Sequence, residues 1–249
     1  MKIGFVTDLH FREAVPGTSK NERRECRHVS QALRRCLARL REMEIDLLVC
    51  AGDCVDDGTL PGALEDVATL RDIFATSGLR TIVIPGNHDP APDDFYALMP
   101  RPPRALRLGG VEFLTFFDDA CAPGAEVCFR SPESLRLMGD TLAERPPEVA
   151  LTFLIQHFVV FPEHVGTGYR HTYGNDVEIR AILERSPRRV VVLSGHLHRG
   201  HLLEEHQGVT YFTGRALCER PFPYYVLHTE GEHVRVEELT AEGARAGDV

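Results

Sequence analysis

The sequence predicts an α/β protein built on a largely parallel sheet, and three observations predict it. Short apolar runs alternate with amphipathic helical stretches from the start of the chain through Pro85. Each of the first three runs stops at a polar cluster, as strands of an open α/β sheet do at their carboxyl ends. The 249 residues are 43% hydrophobic and 26% charged, enough apolar material for a full core without any Trp.

Residues 3–7 read as a buried strand that stops at Asp8. Residues 11–21 contain Pro16, Gly17, Thr18 and Ser19, a loop by composition. Across 22–44, Val29, Leu33, Leu37, Leu40 and Met43 recur at helical spacing. Arginines interleaved with Glu22, Glu25, Glu42 and Glu44 form the opposite, solvated face. Residues 46–50 form a second strand ending at Gly52-Asp53. Leu64, Val67, Ala68, Leu70, Ile73 and Phe74 then mark a second helix, terminated by Gly78. Residues 81–84 are the third strand, closed by Pro85-Gly86.

The middle is less regular. Pro102-Pro103 marks a break, and a strand over 111–117 follows the Gly109-Gly110 turn. A helix is predicted over 132–144, a strand over 149–155, a helix over 176–184 and a strand over 190–193. The runs 201–206, 209–213, 224–229 and 233–239 read as a meander forming a second, mainly antiparallel sheet. No internal repeat or long linker appears, so residues 1–240 read as one domain with a frayed tail at 241–249.

The net charge of −9 argues against non-specific attraction to nucleic acid or an anionic membrane. It leaves room for a phosphate substrate, because bound cations reverse the sign of an acidic cleft. Cysteines 26, 36, 50, 54, 121, 128 and 218 form an odd set without CxxC spacing. They are expected to be reduced and buried, in a cytoplasmic protein. No run approaches the ~20 apolar residues of a membrane span.

Five clusters end the apolar runs: Asp8-Leu9-His10, Gly52-Asp53, Gly86-Asn87-His88-Asp89, Gln156-His157 and Gly195-His196-Leu197-His198. Carboxylates, imidazoles and one amide are the donors that hold two divalent cations side by side. Such a pair activates water and clamps a phosphoryl group at its entering and leaving oxygens. Asp8 and His10 are spaced to face one cation, and Asp53 carries two oxygens with which to bridge. Asn87 supplies a neutral oxygen, His196 and His198 can serve one metal each, and His157 completes seven donors.

In type and order the clusters resemble the calcineurin-like metallophosphoesterase superfamily, whose blocks run DxH, GD, GNH(D/E), H and GHxH; the match spans residues 8–198. The resemblance implies a four-layer α/β/β/α sandwich of two mixed sheets flanked by helices. It places Asp8, His10, Asp53 and His198 on the first metal, and Asp53, Asn87, His157 and His196 on the second. His88 becomes the catalytic histidine, Asp89 the carboxylate that orients its ring, and a metal-bound hydroxide the attacking group. The ions are manganese or iron, with zinc an alternative.

Compact members with an Asp-Leu-His opening resemble the cyclic nucleotide phosphodiesterase branch, which implies a small phosphodiester substrate. The alternatives are a phosphomonoesterase or protein phosphatase, then a nuclease, and finally a non-catalytic scaffold on the same fold. Cys54 and Val55 follow Asp53 where a protein phosphatase has its signature arginine, and the intact ligand set argues against a scaffold. No membrane or nucleic acid partner is implied, and nothing indicates an oligomeric state.

Other residues carry weaker expectations. His28, His164, His171, His206, His228 and His233 read as surface or core histidines, and His201 is open. Arg12 is a candidate phosphate contact, with a solvated loop charge as the plainer reading. Tyr169, Arg170, His171 and Tyr173 either stack on a planar leaving group or pack within their loop. Residues 217–224 either cap the site or connect strands. Substrate choice falls to loops 11–21, 90–103 and 158–175.

Overall fold

A computed structural model describes residues 1–117, 127–162 and 171–242. Cys121, His164, Tyr169 and Arg170 lie outside the described residues, as does the tail beyond 242. The first half follows the predicted alternation: β1 (Lys2–Val6), α1 (Val29–Glu42), β2 (Leu47–Ala51), α2 (Ala63–Ser77) and β3 (Thr81–Ile84). The three strands pair in parallel, Phe5 beside Val49 and Val49 beside Ile82. Every residue of β2 is buried, the pattern of a strand covered on both faces. Gly78 ends α2 in the left-handed region at φ 71°, where a side chain would be strained.

Two elements went unanticipated, α3 (Pro92–Leu98) and the edge strand β4 (Ala105–Leu108). Both are short, and proline opens α3, so neither shows enough periodicity to read. Then come β5 (Val111–Thr115), α4 (Pro132–Ala143), β6 (Leu151–Ile155), α5 (Asp176–Glu184) and β7 (Val190–Ser194). Ser131 caps α4, its hydroxyl accepting from the Ser134 N–H.

The last strands are β8 (His201–His206), β9 (Val209–Thr213), β10 (Pro223–Glu230) and β11 (His233–Thr240). They do not form a sheet of their own, contrary to the expectation of a separate antiparallel meander. β9 joins β7 in parallel with β8 outside it, while β10 pairs antiparallel with β1 and carries β11. Burial gives the reason. β9 is buried throughout and β10 over its first five residues, so each fills an inner position, leaving β8 and β11 as edges.

The sheets run β11-β10-β1-β2-β3 and β4-β5-β6-β7-β9-β8. Phe5, Val49 and Ile84 share a core with Phe113, Phe153 and Leu193 between them. Leu33, Leu37, Val67 and Leu70 cover the outer face of the first sheet. Met138, Leu142, Ile179 and Leu183 cover that of the second. Four layers result, α/β/β/α. Cys26, Cys36, Cys50, Cys54 and Cys218 are buried free thiols, whereas Cys128 is disulfide-bonded, which corrects the expectation of a wholly reduced set. No described helix is long and apolar enough to cross a membrane.

Candidate metal centre

The chain leaves β1, β2 and β7 through backbone that few side chains tolerate. Asp8, His10, Asp53 and His196 have φ of 52°, 43°, 51° and 65°. Non-glycine residues in this region cost of order 1–3 kcal/mol each and persist where the surroundings over-determine them. Here adjoining loops supply the constraint: the Asp8 N–H donates to Gly52 O at 3.0 Å and the His10 N–H to Asp53 O at 2.8 Å. The His196 N–H donates to both Asp8 carboxylate oxygens at 3.0 Å, and Thr7 Oγ1 donates to Oδ2 at 2.8 Å.

Gly195 permits that last approach. A Cβ there would overlap Thr7 Oγ1 and lie 2.7 Å from Asp8 Oδ2. Gly195→Ala is therefore expected to cost roughly 1–3 kcal/mol by overpacking, read as a lowered denaturant midpoint, and to weaken metal binding by displacing Asp8.

All seven predicted donors converge. His10 Nε2 lies 3.0 Å from His198 Nε2, 3.4 Å from Asp53 Oδ2 and 4.0 Å from Asp8 Oδ1. His198 Nε2 is 3.6 Å from Asp8 Oδ1. On the other side of Asp53, His157 Nε2 is 3.2 Å from Asp53 Oδ2 and 3.2 Å from Asn87 Oδ1. Donor atoms of Asp8, His10 and Asp53 fall within 4.8 Å of one another, as do those of Asp53, His157 and His196. Asp53 belongs to both groups.

This arrangement fits two cations. Imidazole nitrogens face buried carboxylates and one another around a shared centre, the disposition of ligands about an ion. The partners behind two rings fix which nitrogen faces inward. His157 Nδ1 donates to Ala51 O at 2.7 Å, and His198 Nδ1 lies 2.8 Å from Glu219 Oε1, so Nε2 is the inward atom in each.

Electrostatics follow the same division. Burial pushes His10 and His196 well below the ordinary imidazole range, favouring the neutral form that ligates. Burial also raises Asp8, whereas at Asp53 it is overcome by His157 and His88, which hold that carboxyl well below its usual range. Burial would lower His157 too, but the Asp53 charge pushes it up to about 9.

In the metal-free protein this has a stability consequence. The folded chain keeps a proton on His157 that the unfolded chain releases near 6.5. Its stabilisation is complete below that pH and is lost as pH rises through about 9. Asp89, raised to about 7 by burial and by Asp53, works in the same direction up to that pH. Calorimetry in chelator should show the melting temperature falling as pH rises between these limits. A flat profile would contradict the pairing.

His88 borders the cleft, its backbone N–H donating to Asp53 Oδ1 at 2.9 Å. Its ring is not oriented by Asp89, contrary to the sequence expectation. Asp89 accepts the N–H groups of Cys54 at 3.0 Å, Val55 at 2.9 Å and Gly86 at 2.7 Å. Its carboxylate is thus spent closing the two loops on each other. His88 Nδ1 instead donates to the Asp56 carbonyl at 2.7 Å.

Asp56 carries no signal in the sequence and was not expected at the site. Its carboxylate accepts from Arg12 at 2.7 Å, Arg24 at 3.1 Å and Ser19 at 3.1 Å, and lies 3.8 Å from His10 Nδ1. Arg12 is accordingly buried in an ion pair, neither a substrate contact nor a solvated charge. Tyr173 is buried and accepts from Arg130, which is loop packing; His171 borders the cleft with its ring 5.5 Å from that of His196. Residues 217–219 do cap the site: Cys218 Sγ falls within 4.8 Å of His10 and His198 nitrogens, and Glu219 holds His198. The cleft above has a volume of about 540 Å³ and is bordered by Asn21, Arg23, Arg24, His88, Arg199 and Glu219.

Fold and site define a class: residues 1–200 match the calcineurin-like phosphoesterase model, and the chain belongs to that family. Among individual proteins, it is similar to a 3′,5′-cyclic-nucleotide phosphodiesterase of Nostoc sp., with 25% identity over 255 residues, 98% of this chain and 89% of the relative. The fold is shared with a dimetal phosphatase from Danio rerio at TM-score 0.74 and 12% identity, covering 96% of this chain and 98% of that one. A purple acid phosphatase from yellow lupin seeds superposes at TM-score 0.65 and 11% identity, covering 98% of this chain and 52% of the lupin protein.

Proposed function

We propose that this protein hydrolyses small phosphodiesters, a cyclic nucleotide or similar nucleotide-like diester foremost, at a dinuclear centre. The observation that carries the reading is the convergence of six donors around Asp53 beside His88, at the floor of an open cleft. The relationship to a cyclic-nucleotide phosphodiesterase supports the diester preference. Asp8, His10, Asp53 and His198 would hold one ion, and Asp53, Asn87, His157 and His196 the other. Oxygen and imidazole donors favour manganese or iron, with zinc the alternative. When bound, the cations supply Lewis acidity to phosphoryl oxygens and lower the pKa of water.

The chain's own residues do the rest. With Nδ1 donating to Asp56 O, His88 has Nε2 left for the substrate. Water adds to phosphorus and gives up a proton to solvent, the ester P–O bond breaks, and a proton from His88 Nε2 passes to the departing oxygen and is replaced from solvent. The substrate belongs in the open cleft. The recess behind Asn87 and His157, lined by Pro85, Pro90, Phe116 and Phe158, has about 40 Å³, room for little more than water.

A substrate panel tests the proposal: a bis-aryl diester, an aryl monoester, 2′,3′- and 3′,5′-cyclic nucleotides and single-stranded DNA, all under one manganese condition. Diesters should be cleaved with kcat/KM at least tenfold above the monoester. Preference for the monoester would move the protein to the phosphatase reading, and no activity on any substrate, with manganese or when the panel is repeated with iron or zinc, would favour a scaffold.

A further inference from the structure

The segment that follows β9 is tied to the first half of the metal centre at several points. The Ala216 N–H donates to His198 O at 2.9 Å, the Leu217 N–H to Thr7 O at 2.9 Å and the Cys218 N–H to Asp8 O at 3.1 Å. The Glu219 N–H turns back to Ala216 O at 3.3 Å, and the Phe222 N–H to Glu219 O at 2.8 Å. The turn therefore moves as one body with the backbone of Asp8 and His198. From it Glu219 projects its carboxylate onto His198 Nδ1 at 2.8 Å, at the edge of the cleft. Arg220, the next residue, is paired with Glu25 and Glu242, so it does not neutralise Glu219.

The two inward-facing histidines thus differ behind the ring. His157 is held by a neutral carbonyl, that of Ala51, and sits in a buried strand-end loop. His198 is half-buried and is held by a charged side chain. A carboxylate fixes the tautomer with hydrogen on Nδ1, stops the ring from turning, and makes Nε2 a stronger donor. His198 has more need of this, because its 18% side-chain exposure leaves fewer neighbours to hold the ring.

We infer that Glu219 is a positioning residue for the first metal half-site, orienting His198 so that its Nε2 faces Asp8 and His10. The inference rests on the dinuclear reading above. No step of the reaction needs Glu219 itself; its effect is on how tightly one of two ions is held.

Manganese titration of the full-length protein by calorimetry tests it, after removal of endogenous metal. Wild type should show two binding events per chain. Glu219→Ala should weaken one of them by about 10- to 100-fold and leave the other within about twofold. Glu219→Gln, whose amide oxygen still accepts from Nδ1, should lose less than the alanine variant. His198→Ala should remove the event that Glu219→Ala weakens, and adding Glu219→Ala to it should change nothing further, the mark of action through His198. Metal-free melting temperatures establish that each variant is folded.

Wild-type affinities in Glu219→Ala, equal losses in the alanine and glutamine variants, or additive losses with His198→Ala would overturn the role of Glu219 while leaving the dinuclear centre standing. Fewer than two ions on the wild type would overturn the dinuclear reading itself and the inference with it.

Discussion

Asp53→Ala is expected to purify with neither ion retained stoichiometrically and to lose at least about 10³-fold in diester turnover, the scale of removing a group the reaction depends on. Among the described residues, no other side chain lies between both groups of donors. Asp53 Oδ2 lies 3.4 Å from His10 Nε2 on one side and 3.2 Å from His157 Nε2 on the other. Oδ1 accepts the His88 N–H at 2.9 Å, so the loop that carries His88 hangs from the same carboxylate. Asp53→Asn is the matching control: asparagine tolerates the left-handed backbone at φ 51° and can still accept from His88. It should fold well and yet bind metal poorly, because the bridging negative charge is gone. Elemental analysis decides the matter, and two ions per chain in Asp53→Ala would refute the bridge.

His88→Ala should have the contrasting profile, with near-normal metal content and kcat lowered by roughly 10²- to 10⁴-fold, the usual value of a positioned proton donor. The loss should depend on the leaving group. A nitrophenolate departs with little help and should show the smaller defect; the alkoxide of a cyclic nucleotide needs a proton and should show the larger. Equal defects on both substrates would assign His88 to charge stabilisation instead of proton transfer. Activity unchanged by the substitution would remove His88 from the mechanism.

Why the candidate metal centre was legible in the sequence is clear from where its residues sit. Asp8, Asp53 and Asn87 come just after buried strands of one sheet and His157 and His196 after buried strands of the other, and parallel strands deliver the residues at their carboxyl ends to one edge of each sheet. A linear pattern therefore carried spatial information. Asp89 shows the limit of that logic. Adjacent to His88 in the chain, it was expected to orient the ring, but the turn aims its carboxylate at three backbone N–H groups instead. Asp56 was invisible, and Glu219 stood out only as part of a segment that either caps the site or connects strands, for the opposite reason. Their partners His198 and His10 are brought to them by loops, and loop paths have no periodicity. The late strands fall between these cases: alternation and turns marked them as strands, yet only burial shows that β9 belongs beside β7 and β10 beside β1.

Anomalous diffraction from crystals soaked in manganese reaches the heart of the account most directly. Two peaks should flank the Asp53 carboxylate, one among Asp8, His10 and His198, the other among Asn87, His157 and His196. A lone peak, or a pair seated away from Asp53, would contradict it.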